Sequence, residues 1–207
     1  MTRAEARYRA ITDAWAEVAS RFGLEHEVLV PPPAEDRTGR LAQVLSGQAQ
    51  GVATGSDRVA HRMSGRVDEL GIVVEIRREE AMGLGGNPTV HVVTRYRAEA
   101  AWLPKGVRVA NRHQRRALRR AHGGATGLHR LHLPRATHLT ALARDPESAA
   151  VWLDERRVDV LRAAMTARPE LQLVGRAVQA ATKGEESDPR RLADTLAAVV
   201  ELAHAVR

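Results

Sequence analysis

Arginine is the residue type whose number and spacing point to chemistry. Between Ala100 and Arg144 the chain carries Lys105, Arg108, Arg112, Arg115, Arg116, Arg119, Arg120, Arg130, Arg135 and Arg144 without one Asp or Glu. Those ten charges exceed the whole chain's formal +7, so the other residues sum to −3 (7 less 10). The basic character is therefore concentrated in one segment of a mildly acidic body. Within it, Asn111 is a good N-cap and Gly123 a good C′ residue, so the run reads as a basic helical insertion at about 110–124. At about 100° per residue, Arg112, Arg115, Arg116, Arg119 and Arg120 fall within an arc of roughly 140°, opposite Ala117, Leu118 and Ala121. Guanidinium groups match phosphate oxygens bidentately, and a row of them gives binding that weakens steeply with salt. The expected chemistry is recognition of an anionic partner, nucleic acid first, by these five arginines with Lys105, Arg108 and Arg130 at the edge. The alternative is a homo-oligomer whose basic helix docks on an acidic protein surface, such as Glu79-Glu80 of another copy. Two features count against nucleic acid. No aromatic lies between Trp102 and Trp152 to stack on bases, and no helix-turn-helix, zinc-finger or RNA-recognition signature accompanies the patch.

Other chemistry is poorly served. His113, His122, His129, His132 and His138 cluster in the same segment, but Leu-His-Arg-Leu-His-Leu alternates like a strand, which would put His129 and His132 on opposite faces. The surrounding positive charge repels a cation, so no metal site is expected. Gly83-Leu-Gly-Gly-Asn-Pro88 lacks the following helix that a phosphate loop needs, and reads as a hairpin loop. Ser46 and Ser64 sit outside any nucleophile elbow. Glu79-Glu80 and Asp154-Glu155 are sequence neighbours that do not face one another. No catalytic residue and no cofactor is assigned, and the chain is read as non-enzymatic.

The elements that must position the arginines follow from periodicity. Tyr8, Ile11, Trp15, Val18 and Phe22 recur at helical spacing up to Gly23. Glu27–Val30 reads as a short strand, Arg40–Leu45 as a helical turn, and 31–62 otherwise has no clear period. From Met63 the period becomes two. Met63–Val67 and Ile72–Arg77 flank a hairpin turn, and Thr89–Trp102 is a long strand with Val90, Val92, Thr94, Tyr96 and Ala98 on one face and His91, Val93, Arg95, Arg97 and Glu99 on a half-solvated other. Val107–Val109, Leu128–Leu133, Leu139–Leu142 and Leu171–Val174 read as further strands. Asp145-Pro146 opens a helix to about Ala167, and Asp188-Pro189 a terminal one.

The Trp-bearing first helix, the hairpin Ser64-Gly65-Arg66-Val67-Asp68, the stretch Leu103-Pro-Lys-Gly-Val-Arg-Val109 and the Asp-Pro-led helix resemble bacterial α+β proteins of uncharacterised function. The resemblance implies a similar build and no activity; the arginine insertion is not a feature of that group.

Composition bounds the rest. Aromatics are 3% of 207 residues, so the core must be filled by Ala, Val and Leu. The absence of cysteine excludes disulfides and thiolate chemistry. The charged N-terminus has no apolar run suited to a signal peptide, and no stretch is apolar enough to span a membrane, so a cytoplasmic bacterial protein is expected. The expected fold is one α+β domain over residues 1–207, with a curved antiparallel sheet of about five or six strands packed on an N-terminal helix and two C-terminal helices.

Overall fold

The period-two segments pair into one sheet. In a computed structural model that describes residues 3–29, 58–82, 88–112 and 127–207, the strands are β1 (Glu25–Val28), β2 (Arg58–Val67), β3 (Leu70–Met82), β4 (Pro88–Glu99), β5 (Val107–Asn111), β6 (His129–Leu131), β7 (Leu139–Ala143), β8 (Gln172–Val174) and β9 (Ala177–Lys183). They form an open, curved, antiparallel sheet in the order β1-β2-β3-β4-β9-β8-β5-β7-β6. The helices are α1 (Arg3–Phe22), α2 (Pro146–Trp152), α3 (Glu155–Ala167) and α4 (Pro189–Ala205).

The α+β class holds, but the sheet has nine strands rather than five or six, and the C-terminal part has three helices rather than two. Two local causes account for much of this. The expected continuous helix to Ala167 breaks at Leu153, because the next residue, Asp154, turns its carboxylate to the Arg157 amide at 2.8 Å and starts a new helix there. The strand β9, Ala-Val-Gln-Ala-Ala-Thr-Lys, has too little β-branched or aromatic content to stand out in sequence; its partners β4 and β8 define it. The β2–β3 turn is also tighter than expected. Val67 pairs with Leu70, leaving Asp68-Glu69 as the whole turn, with Asp68 at φ 53 in the left-handed region that Asp tolerates. The Arg40–Leu45 turn, the Gly83–Asn87 loop and the body of the arginine helix lie outside the described residues.

Among the described helices, α1, α3 and α4 pack on one face of the sheet. That face presents Met63, Ile72, Val74, Ile76, Tyr96, Ala98, Leu173, Val107 and Val109, all buried. α1 contributes Ile11, Trp15 and Val18, α3 contributes Val158, Leu161 and Met165, and α4 contributes Leu192, Leu196, Val199 and Ala203. The tryptophans are held at both ends of this layer. Trp15 Nε1 donates to the Glu186 carbonyl and Trp102 Nε1 to the Ala203 carbonyl, each at 3.0 Å. Among the described residues, no helix is long and apolar enough to cross a membrane.

Where α1 meets β1 and β2, two imidazoles face each other head-on. His26 Nε2 and His61 Nδ1 are 3.3 Å apart in nearly parallel rings, with Trp15 and Tyr8 against them. One ring donates and the other accepts, so the pair is satisfied when both are neutral. Burial lowers the pKa of both; for His61 the charge of His26 lowers it further, and Glu185 opposes.

Two outcomes follow for stability. Leu161, fully buried under α3, should cost about 2–5 kcal/mol as Leu161→Ala and Asp154→Ala about 1 kcal/mol, read from urea unfolding. The histidine pair favours its neutral form in the folded state, while the unfolded chain protonates through the ordinary value of 6.5. Its contribution is therefore full above pH 6.5 and declines as pH falls from there through the lowered folded-state values. Unfolding midpoints against pH should show that decline, and His61→Gln should flatten it.

Candidate anion-binding face

A strand covered on one side only must send alternate residues to the other, and here those residues are charged. The register places Glu25, Glu27, Arg62, Arg66, Glu75, Arg77, Arg95, Arg97, Glu99, Lys183, Arg108 and Arg130 on the face that no described helix covers. Cations outnumber carboxylates among them. None of the chain's Trp, Tyr or Phe residues occupies an exposed strand position; Tyr96 points into the core.

On β2, β3 and β4 the two glutamates of this face, Glu75 and Glu99, are both engaged by arginines. Glu75 is only 5% exposed although it stands on the open face. Arg62 Nε donates to its Oε1 at 3.0 Å and Arg77 Nε to its Oε2 at 2.7 Å. Arg95 lies directly opposite Glu75 on β4. Farther along β4, Arg97 pairs with Glu99 at 3.2 Å.

At the β5–β7–β6 end the balance differs. Arg108 on β5 and Arg130 on β6 are both in register with Leu142 on β7, so they flank it on the same face. Arg144 follows β7 and donates its amide to the Gly106 carbonyl at 3.2 Å. Burial, with the Arg144 charge adding, holds the Arg108 guanidinium below the usual arginine range. Arg108 Nη1 is buried without a hydrogen-bond partner. That is the environment in which an incoming oxyanion gains most, since the donor has already lost its water.

Of the residues expected from sequence, Arg108 and Arg130 are brought together, across one strand. Arg112 is exposed where β5 ends, and its amide donates to the His138 carbonyl at 2.7 Å. Lys105 is exposed in the turn before β5. Arg115, Arg116, Arg119 and Arg120 lie outside the described residues. The sequence reading missed Arg62, Arg77 and Arg144 as members of the same face. The alternation along β4 already separated Arg95 and Arg97 from the core, but tying them to arginines on other strands needs the register. Of the five clustered histidines, His113 and His122 lie outside the described residues. His132 follows β6, and among the described residues no three His, Asp or Glu side chains are placed to hold a metal ion.

No protein-family model matches the sequence, and no curated protein matches it. Solved structures do align with it. The mycobacterial trehalose monomycolate transport factor A, TtfA, superposes with a TM-score of 0.56 at 13% identity, over 96% of each chain. The likeness is one of fold. It extends over nearly the whole of both chains, so the sheet and its helices form a shared architecture.

Glu75 offers a direct test of the charge balance. Glu75→Gln leaves Arg62 and Arg77 without their shared carboxylate and should destabilise the chain by about 1–3 kcal/mol, allowing for the partial exposure of both arginines. Chemical denaturation reads the loss. An unchanged midpoint would mean that the network is solvated and energetically neutral.

Proposed function

We propose that the chain is a non-enzymatic binding or assembly module that engages an anionic partner, nucleic acid in the first place, through its acid-free basic segment. The observation that carries this reading is the pairing of Arg108 and Arg130 about Leu142 beside Arg144, with a buried guanidinium nitrogen that has no acceptor. Arg112, exposed at the end of β5, leads from this cluster into the segment holding Arg115, Arg116, Arg119 and Arg120. A surface so rich in guanidinium and without aromatic rings contacts phosphates rather than stacked bases, which favours duplex over single-stranded nucleic acid. The fold shared with TtfA does not decide the matter, since one fold carries many functions. A cytoplasmic setting, as expected from sequence, would bring the protein within reach of such a partner.

The test is fluorescence anisotropy with labelled duplex DNA, single-stranded DNA and RNA, beside a variant with Arg112, Arg115, Arg116, Arg119 and Arg120 all changed to Ala. Five phosphate contacts would weaken duplex binding about 500-fold between roughly 50 and 200 mM salt, and the variant should lose most of the affinity and the slope. No binding at the lowest salt would sink the nucleic-acid reading. Mass that rises with protein concentration in its absence, and stays monomeric in the variant, would then favour a homo-oligomer held by the basic helix on an acidic surface.

A further inference from the structure

The two ends of the open face treat their arginines differently. Near β3 a planar carboxylate, Glu75, supplies two oxygens, and one arginine takes each: Arg62 on Oε1 and Arg77 on Oε2. Around Leu142 stand three guanidinium groups and, among the described residues, no paired carboxylate. Arg108 and Arg130 flank it from the two neighbouring strands. Arg144 shares their side of the sheet, because a Cβ added to Gly106 would lie 3.4 Å from the Arg144 Cβ. With strands ~4.8 Å apart and alternate residues ~6.8 Å apart, the three Cα atoms form a triangle about 10 Å on its longest edge. Side chains as long as arginine can converge on one small anion from such corners.

Nothing described competes for that position. The acid nearest in sequence, Asp145, is occupied: its Oδ1 accepts from the Glu147 and Ser148 amides, and its Oδ2 from the Ser148 hydroxyl. Among the described residues no acid pairs with Arg108, Arg130 or Arg144, and Arg108 Nη1 is buried and unbonded.

We propose that Arg108, Arg130 and Arg144 form a binding site for a single phosphate group, at the β5–β7–β6 end of the open sheet face. The assignment rests on reading the basic segment as an anion-binding surface and narrows it to one locus and one chemical group. A tetrahedral phosphate offers oxygens in three directions and one to two negative charges, which suits three converging guanidinium groups as a carboxylate does not. The phosphate can be a backbone phosphodiester or the terminal group of a smaller molecule.

Thermal unfolding of the full chain tests this, with inorganic phosphate and, separately, dimethyl phosphate as probes at constant ionic strength in chloride. The expected result is a saturable rise in Tm with inorganic phosphate that chloride does not reproduce. Arg130→Ala and Arg144→Ala, both at exposed side chains, should each weaken the apparent affinity roughly tenfold. An equal response to dimethyl phosphate assigns the site to a backbone phosphodiester, and a response to inorganic phosphate alone assigns it to a terminal phosphate; both uphold the site. No saturable response, or one undiminished in both variants, overturns it. Failure here and failure of the nucleic-acid reading are separable. Duplex binding that is intact in Arg130→Ala and Arg144→Ala, without a phosphate response, removes only this site. A phosphate response without duplex binding removes only the nucleic acid.

Discussion

A sheet that buries one face under helices has to solve two different solvation problems with one chain. Each strand alternates, so every apolar residue turned to α1, α3 or α4 commits its neighbours to the opposite side. In a chain with so few aromatics, the covered side is built from Val, Leu, Ile and Ala around Trp15 and Tyr96. The open side then receives the arginines of β2, β3, β4, β5 and β6 by geometric necessity. Core formation and the display of cations are thus the same constraint seen from two faces. A one-residue slip of a strand such as β4 would exchange Tyr96 and Ala98 for Arg95 and Arg97, which the buried layer could not accept.

The distribution of acids along the chain decides what that display amounts to. Where Glu75 and Glu99 are interleaved with arginine, ion pairs form within the face and become a matter of stability. Where the sequence from Ala100 to Arg144 omits acids altogether, the same alternation leaves Arg108, Arg130 and Arg144 on one side of the sheet. Like charges held together at a partly desolvated position raise the free energy of the isolated chain, and an oxyanion lowers it.

Much of this was legible in the sequence. The period-two pattern located most strands and separated the two faces of β4 correctly, and the Asp-Pro pairs at Asp145 and Asp188 marked real helix starts, each with its carboxylate capping the first turn. The acid-free segment singled out Arg108 and Arg130 without any structure. What could not be read was pairing. The register of β5 and β6 with β7 joins residues far apart in sequence, and only that register makes neighbours of Arg108 and Arg130 or admits Arg144 to their group. The split between α2 and α3 was hidden for a different reason: Asp154 looked like a solvated helix residue, and its role as a cap depends on Leu153 being drawn into the core. The strand β9 was hidden because its evidence lies in its neighbours, β4 and β8.

The position of β9 has a consequence for how the chain assembles. The strands β2, β3 and β4 follow one another in sequence and in space and can zip together through short connections, whereas β1 reaches β2 only across the long stretch from Val28 to Arg58. The strands β5, β7 and β6 form a second group, in which β5 pairs with β7 rather than with its sequence neighbour β6. The two groups meet only through β8 and β9, with Val93 of β4 paired to Lys183 near the end of the chain. The sheet therefore becomes continuous only after nearly the whole polypeptide is available, and the last loop closed is among the longest. Folding on this topology is expected to be slow relative to the size of the chain, with the two strand groups formed before their union.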